Sequence, residues 1–189
     1  MLIALLLAAE ALLPSWERQL RAALPPGGER RIEPVFQKEG LVLYCILSPG
    51  RAQLEAAAFE ESELVRDPED LGGPMKREGC GTASASEPFL VRRGKRRERA
   101  VVVSVRDGAA PAFLTAVLNI ETGKLLAWTE QAPPRGEAIV PQAGKRGETA
   151  FCAFTEVPGR EKGWALLTWS DDAEGYAPSG ACRPRGSAR

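Results

Sequence analysis

The strongest candidate site in the sequence is the run "VRRGKRRER", in which six cationic side chains lie within eight residues. They are Arg92, Arg93, Lys95, Arg96, Arg97 and Arg99. Guanidinium and ammonium groups at this density can bind phosphate groups, an acidic polysaccharide or an acidic protein face. No aromatic residues are interleaved, so single-stranded nucleic acid is not indicated. The alternative is a solvated turn between two apolar runs, whose charges discourage edge-to-edge strand pairing.

The sequence contains no histidine, and this absence excludes several kinds of chemistry. A Ser-His-Asp or Cys-His nucleophile pair cannot be built, and histidine metal sites and an imidazole pH switch are excluded as well. Catalysis by carboxylate, Lys, Tyr or Cys groups stays open, but the sequence offers no catalytic, cofactor-binding or metal-binding residue. It therefore leans away from an enzyme. Two buried carboxylates about 5–9 Å apart would favour the enzyme alternative, because glycosidase chemistry needs no histidine.

Two acidic stretches are weaker candidates. The run "SDDAEGY" offers Asp171, Asp172 and Glu174 as oxygen ligands for calcium, but the spacing is not that of an EF-hand. The run "FEESELVRDPED" has the composition of a solvated helix face or loop. A solvated role is favoured for both.

Four widely spaced cysteines, Cys45, Cys80, Cys152 and Cys182, predict two disulfides in an exported chain. No C-x-x-C pair is present, which argues against a structural zinc site or a thioredoxin-like motif. In the pairs Cys45–Cys80 and Cys152–Cys182, one cysteine lies in an apolar strand-like run and the other in a Gly/Pro-rich segment. A bond would tether that segment, so we expect these pairings. The alternatives are free thiols in a cytosolic protein, or a Cys45–Cys152 bond joining two strands.

The opening "MLIALLLAAEALLPSW" bears on the compartment. The apolar run 2–9 is shorter than the roughly 20 residues of a membrane span, and Ala9-Glu10-Ala11 supplies an A-x-A cleavage pattern. A secretory signal needs a Lys or Arg before its apolar run, and this sequence has none there. A start codon assigned too far downstream would account for the missing basic residues. We favour an export signal over residues 1–11 and a periplasmic or extracellular protein without a transmembrane span. The alternative is a structural helix whose apolar face consists of Leu13, Trp16, Leu20 and Leu24. Both interpretations hold together if the signal ends near Ala11 and the helix of the mature chain begins near Pro14.

Composition indicates one globular domain. The length of 189 residues suffices to bury a core, and the apolar content of 44% and charged content of 26% are ordinary. Lys plus Arg equals Asp plus Glu at 25 each, so there is no global attraction to nucleic acid or to an anionic membrane. We expect a single β-rich domain over residues 12–177 and an irregular tail over 178–189.

From residue 88 onward, short apolar runs separated by turn residues predict an antiparallel meander or sandwich-like sheet. The runs are "PFLV", "RAVVVSV", "AFLTAVLNI", "KLLAWTE", "TAFCAFTEV" and "GWALLTWS". Both "VVVSV" and "FLTAVL" are apolar at nearly every position, so a second sheet or the N-terminal helix should cover both their faces. Trp128, Trp164 and Trp169 fit a β core better than a ligand platform.

The clearest single hairpin is "LNIETGKLLAW", in which Gly123 would supply a positive φ after a type I turn. It resembles the strand–turn–strand of quinoprotein-type propeller repeats and the final hairpin of PepSY-type modules. The resemblance covers about a dozen residues and occurs once, whereas a propeller repeats its pattern several times. It therefore implies a hairpin and no function.

The segment "ILSPGRAQLEAAAFEES" is ambiguous. Ser48 could cap a short helix with Pro49 at its first position, over the Ala-rich stretch 53–61. Alternatively, Pro49-Gly50 forms a turn between two strands. We favour the helix slightly, and so expect a mainly β protein with an N-terminal helix and one further short helix.

These patterns together favour an exported, non-catalytic binding module of the periplasm or cell surface. Its partner would be a protein or an anionic polymer held by the basic loop, with no cofactor and no specific nucleic acid. Two alternatives remain open. One is a histidine-free enzyme that uses carboxylates or a Lys or Tyr base, and the other is a cytosolic β-rich protein that docks an acidic partner through the same loop.

Overall fold

The protein is mainly β, with antiparallel sheets and a helix near the N-terminus, as the sequence predicts. The computed structural model describes residues 15–23, 30–49, 51–61, 63–75, 80–106, 114–156 and 162–184. The predicted export signal over residues 1–11, and Leu13 and Leu24 of the alternative helix face, lie outside these ranges.

Helix α1 (Ser15–Ala23) covers the outer face of the first sheet. Trp16 and Leu20 lie four residues apart and therefore share one face, which is buried against β-strand side chains. An ion pair between Glu17 and Arg21 (2.8 Å) adds i,i+4 support on the helix. The side-chain oxygen of Gln19 accepts a hydrogen bond from the Leu64 N–H (3.0 Å), which fixes the helix to the sheet.

The first sheet is a meander in the order β1-β2-β3, with two further strands pairing different parts of β3. Its strands are β1 (Arg31–Lys38), β2 (Leu41–Ser48), β3 (Arg51–Glu60), β4 (Glu63–Leu64) and β5 (Glu69–Met75). Every residue of β2 from Leu41 to Ile46 is buried, because the helix covers one face and the second sheet covers the other. Continuous burial explains the unbroken apolar run of this strand.

The second sheet lies in the middle, in the order β10-β9-β8, with β6 and β7 pairing opposite ends of the long strand β8. Its strands are β6 (Thr82–Ala85), β7 (Phe89–Arg93), β8 (Arg96–Arg106), β9 (Leu114–Asn119) and β10 (Leu125–Thr129). Val101, Val103 and Leu118 pack on the first sheet, while Val102 and Val117 pack on the third. The expectation that both faces of these runs are covered is confirmed, and a sheet covers each face.

The third sheet is a meander in the order β11-β12-β13-β14. Its strands are β11 (Ile139–Ala143), β12 (Thr149–Thr155), β13 (Gly163–Ser170) and β14 (Gly175–Ala181), with a 3-10 turn at Lys145–Gly147. Phe151 and Leu167 project from it into the core shared with the second sheet. The expected irregular tail from residue 178 is corrected here, since β14 pairs with β13 as far as Ala181.

The preference for a short helix over residues 53–61 is wrong, because residues 53–60 lie in strand β3 and Glu61 lies in the turn that follows. Ala52, Leu54 and Ala56 alternate into the core between the first two sheets, while Ala57 packs under helix α1. Small side chains on both faces let neighbouring elements approach closely, and this tertiary packing outweighs the helix propensity of alanine.

The two disulfides have the pairing that the sequence predicts. Cys45 on β2 is joined to Cys80 across 5.7 Å between Cα atoms, and Cys152 on β12 is joined to Cys182 across 5.8 Å. Each bond ties a buried strand residue to a cysteine outside the strands. Cys80 lies between β5 and β6, and Cys182 follows β14. No described cysteine is left as a free thiol.

Candidate functional site

Turns from all three sheets meet at one end of the stack and line a groove of about 810 Å³, which we call the cationic groove. The first sheet contributes Arg66 from the β4–β5 connection. The β7–β8 hairpin, the β9–β10 turn, the β13–β14 turn and Glu148 before β12 supply the rest. Loops carried by a rigid scaffold are a common location for binding residues.

The β7–β8 hairpin brings only part of the predicted basic cluster into this groove. Its turn at Gly94-Lys95 places Arg93 opposite Arg96 and Arg92 opposite Arg97. Successive residues of a strand point to opposite faces, so the cluster divides into two sets. Arg93, Lys95 and Arg96 line the cationic groove. Arg92, Arg97 and Arg99 belong to the other face, where Arg99 pairs with Glu39 (2.7 Å).

Arg93 forms the floor of the groove. Its side chain is only 9% exposed, forms an ion pair with Glu98, and lies with Cζ 4.0 Å from the ring centroid of Trp169. Burial lowers the pKa of Arg93 from its ordinary value, although a guanidinium remains charged at any physiological pH. Its Nε–H is itself buried and has no hydrogen-bond acceptor among described residues, so it is an unsatisfied donor beneath the groove.

The acidic side chains of the groove are largely engaged by the protein itself. Glu98 accepts a hydrogen bond from the Asn119 amide (3.1 Å) in addition to its ion pair with Arg93. Glu148 accepts from the Gly94 N–H (3.2 Å), and Asp171 accepts from Trp169 Nε1 (2.7 Å). These bonds fix the positions of the carboxylates but leave their negative charge, and Glu174 adds a fourth carboxylate to the lining.

Three cations at the groove rim contrast with these acids. Lys95 and Arg96 are exposed and Lys124 is half-buried, and none of them forms an ion pair with a described residue. Arg66, in contrast, pairs with Glu69 (3.2 Å). The lining as a whole holds five cationic and four acidic side chains, so these three cations lie in a groove whose net charge is only slightly positive.

The β9–β10 turn is held by Asn119, whose side-chain oxygen accepts hydrogen bonds from the N–H groups of Glu121 (2.8 Å) and Thr122 (3.0 Å). Gly123 then adopts a φ of +70°, as the sequence predicts for this hairpin. An Asn-centred turn of this kind is rigid because the side chain replaces a backbone acceptor. It fixes Lys124 at the groove.

Tyr176 supports the floor from behind. Its ring packs edge-on against Phe151 (4.6 Å between centroids) and Trp169 (5.6 Å). Burial raises the pKa of Tyr176 to about 12, so the phenol is neutral at physiological pH. The aromatic ring of Trp169 is thus held between Arg93 and Tyr176.

A second groove of about 380 Å³ runs along the free edge of β7, and we call it the Leu90 groove. Thr149 closes the backbone of that edge, because its hydroxyl accepts from the Arg92 N–H (3.0 Å) and donates to the Leu90 carbonyl (3.4 Å). Leu90 itself is 51% exposed. Phe89, Pro141 and Ala143 contribute further apolar surface, and Glu148 lines both grooves.

Of the acidic candidates in the exposed β13–β14 turn, Asp171 and Glu174 line the cationic groove and Asp172 does not. The described ranges contain no group of three acidic or cysteine residues placed to hold a metal ion. Trp164 packs against Phe154 (5.4 Å between centroids), whereas Trp128 is 50% exposed and lines neither groove.

One further carboxyl group has an unusual setting beneath helix α1. Glu55 accepts hydrogen bonds from Tyr44 and from the Gln53 amide (2.8 Å), and Asp70 is its cross-strand neighbour. Burial raises the pKa of Glu55, and the Tyr44 hydrogen bond partly opposes this shift. Glu55 lines neither groove.

Sequence reasoning identified the basic run but missed the residues that organise it. Glu98 lies inside that run, and Asn119 lies in the predicted hairpin, yet their pairing requires two turns to meet. The available signal was the dipeptide Gly94-Lys95, since a two-residue hairpin turn assigns alternate arginines to opposite faces. Trp169 was predicted to be a core residue and instead lines the groove.

Comparisons with protein-family models, with curated proteins and with solved structures find no match for this chain. The geometry of the site therefore carries the functional argument. Across the described ranges, no helix combines the length and the apolar content that crossing a bilayer requires.

Proposed function

We propose that the protein is an exported, non-catalytic binding module whose cationic groove recognises an anionic partner. The observation that carries the proposal is the charge arrangement at the groove. Lys95, Arg96 and Lys124 have no ion-pair partner among described residues, and three of the four carboxylates that line the same groove are held by hydrogen bonds to other groups. An incoming carboxylate or phosphate would meet cations that need not first be released from an internal partner.

Two disulfides are compatible with export, because such bonds persist in oxidising compartments and are rare in a reducing cytosol. Fractionation of the native host, with N-terminal sequencing of the recovered protein, tests this part of the proposal. We expect the protein outside the cytosol with both bonds oxidised. A cytosolic protein with reduced thiols would contradict export and favour the cytosolic alternative.

Binding to poly-L-glutamate in a salt series tests the groove. Replacement of Lys95 and Arg96 by Ala should weaken binding and flatten its salt dependence, because fewer charge pairs are screened. Arg106→Ala is the matched control, since Arg106 ends the same strand that Arg96 begins, roughly 33 Å away at about 3.3 Å per residue. Equal effects of the two changes would reject the groove as the binding site.

A further inference from the structure

We propose that the anionic partner is a protein segment that combines acidic side chains with an apolar side chain, and that it lies across the β7–β8 hairpin. Its acidic part would occupy the cationic groove and its apolar part would occupy the Leu90 groove. This inference rests on the proposed function, because it names the partner class of the same site.

The first observation is the apolar end of the surface. A single exposed leucine on a flat surface needs no explanation. Leu90, however, is 51% exposed within a concave site that Phe89, Pro141 and Ala143 also line. The groove is open and its lining also holds the polar side chains of Arg92, Gln142, Glu148 and Thr149, so its apolar part fits one aliphatic or aromatic side chain of a partner.

The second observation is that the two grooves are adjacent and share one lining residue. Glu148 lines both, and its carboxylate accepts a hydrogen bond from Gly94 in the turn of the hairpin that separates them. The hairpin presents Lys95 and Arg96 to one groove and Leu90 and Arg92 to the other. One extended segment that crosses the hairpin can therefore contact a cationic region and an apolar region in sequence.

The third observation concerns the groups that sugar recognition would use. Arg93 covers a face of Trp169, and the Asn119 amide is bonded to Glu98 and to its own turn. One face of the Trp169 ring and the Asn119 amide are thus already occupied, which disfavours stacking of a sugar or a base on that face and amide contacts to hydroxyl groups. Charge together with an apolar contact favours a protein segment over a polysaccharide or a nucleic acid.

The test titrates the full oxidised chain with three probes. The first is a synthetic peptide with consecutive Glu residues at one end and a Leu-Leu pair at the other, and the second replaces that pair by Ser-Ser. The third is polygalacturonate, which carries carboxylates without apolar side chains. We expect the Leu peptide to bind about tenfold more tightly than the Ser peptide, as burial of apolar side chains implies.

Leu90→Ser should remove most of the difference between the two peptides, because it deletes the surface on which the Leu pair packs. Trp128→Ser is the control, since Trp128 is 50% exposed and lies outside both grooves. Equal binding of the two peptides, no effect of Leu90→Ser, or tighter binding of polygalacturonate would overturn this inference. Binding that still depends on Lys95 and Arg96 would then leave the proposed function standing, whereas failure of every probe to bind would contradict both.

Discussion

Arg93 is the residue on which the floor of the groove depends. It stacks on Trp169 and pairs with Glu98, whose side chain is 18% exposed. Removing one member of a largely buried pair leaves the other charge uncompensated. Arg93→Ala should therefore lower the free energy of unfolding by about 3 kcal/mol in a urea titration.

Arg96→Ala is the control for that change, because Arg96 is exposed on the neighbouring strand and its loss should cost no more than about 0.5 kcal/mol. The double change Arg93→Met with Glu98→Gln should recover most of the stability, since it removes both charges together. If Arg93→Ala costs no more than Arg96→Ala, the ion pair does not stabilise the floor.

Glu55 predicts a pH dependence of stability. Its native pKa is raised by burial, so the folded protein binds this proton more tightly than the unfolded chain does. The contribution of Glu55 to stability is therefore greatest below the ordinary glutamate pKa of about 4.3, and it falls as the pH rises through the raised native value. Glu55→Gln removes this dependence while it keeps an acceptor for the Tyr44 hydroxyl.

Urea titrations at a series of pH values measure the effect. The stability of Glu55→Gln relative to wild type should increase with pH across that window. Glu60→Gln, at the exposed end of the same strand, is the control. A difference between Glu55→Gln and wild type that does not change with pH would mean that burial does not perturb this carboxyl.

At the scale of single elements, the β9–β10 turn meets strand β3 at closest range through Gly123. A Cβ at this position would lie 3.1 Å from the Ala58 nitrogen and 3.2 Å from the Ala57 carbonyl carbon. Gly136 has a similarly positive φ, but a Cβ there would meet nothing within 4 Å. The two glycines therefore separate backbone strain from close packing.

Both Gly123→Ala and Gly136→Ala should carry a left-handed backbone penalty of about 1–2 kcal/mol. Gly123→Ala should cost at least about 1 kcal/mol more, because Ala57 and Ala58 must also move. Denaturant titration of the two variants gives the difference directly. Equal losses of stability would show that the turn and β3 do not pack as described.

The strands after residue 88 were predictable because their apolar runs and turn residues are local signals. Strand β3 was not predictable, because its alanine-rich sequence by itself favours a helix. Only the contacts with the second sheet and helix α1, which lie far away in the sequence, favour a strand. The arrangement of the site was likewise not predictable, because it depends on contacts between residues far apart in the sequence. The basic run is visible in the sequence, but its division between two faces, and the contacts of Arg93 with Glu98 and Trp169, depend on the hairpin turn and on the third sheet.

At the scale of the whole molecule, three sheets and a helix are stacked so that each shared core is built from residues far apart in the sequence. The two disulfides join cysteines 35 and 30 residues apart in the sequence, one starting from the first sheet and one from the third. Removing either bond by paired Cys→Ala changes should lower the free energy of unfolding by about 3–4 kcal/mol. Unchanged midpoints in denaturant would show that the bonds do not stabilise the fold.

The central claim is that the loop end of the three sheets binds an anionic partner. The indole N–H signals of the four tryptophans report on it directly, because Trp169 lines the cationic groove, Trp16 lies on the buried face of helix α1, and Trp128 and Trp164 line neither groove. In a ¹⁵N NMR titration of the oxidised chain with the acidic Leu peptide, we expect the Trp169 signal to shift and saturate while the Trp16, Trp128 and Trp164 signals stay in place. Saturable shifts at Trp128 or Trp16 with none at Trp169 would contradict the account.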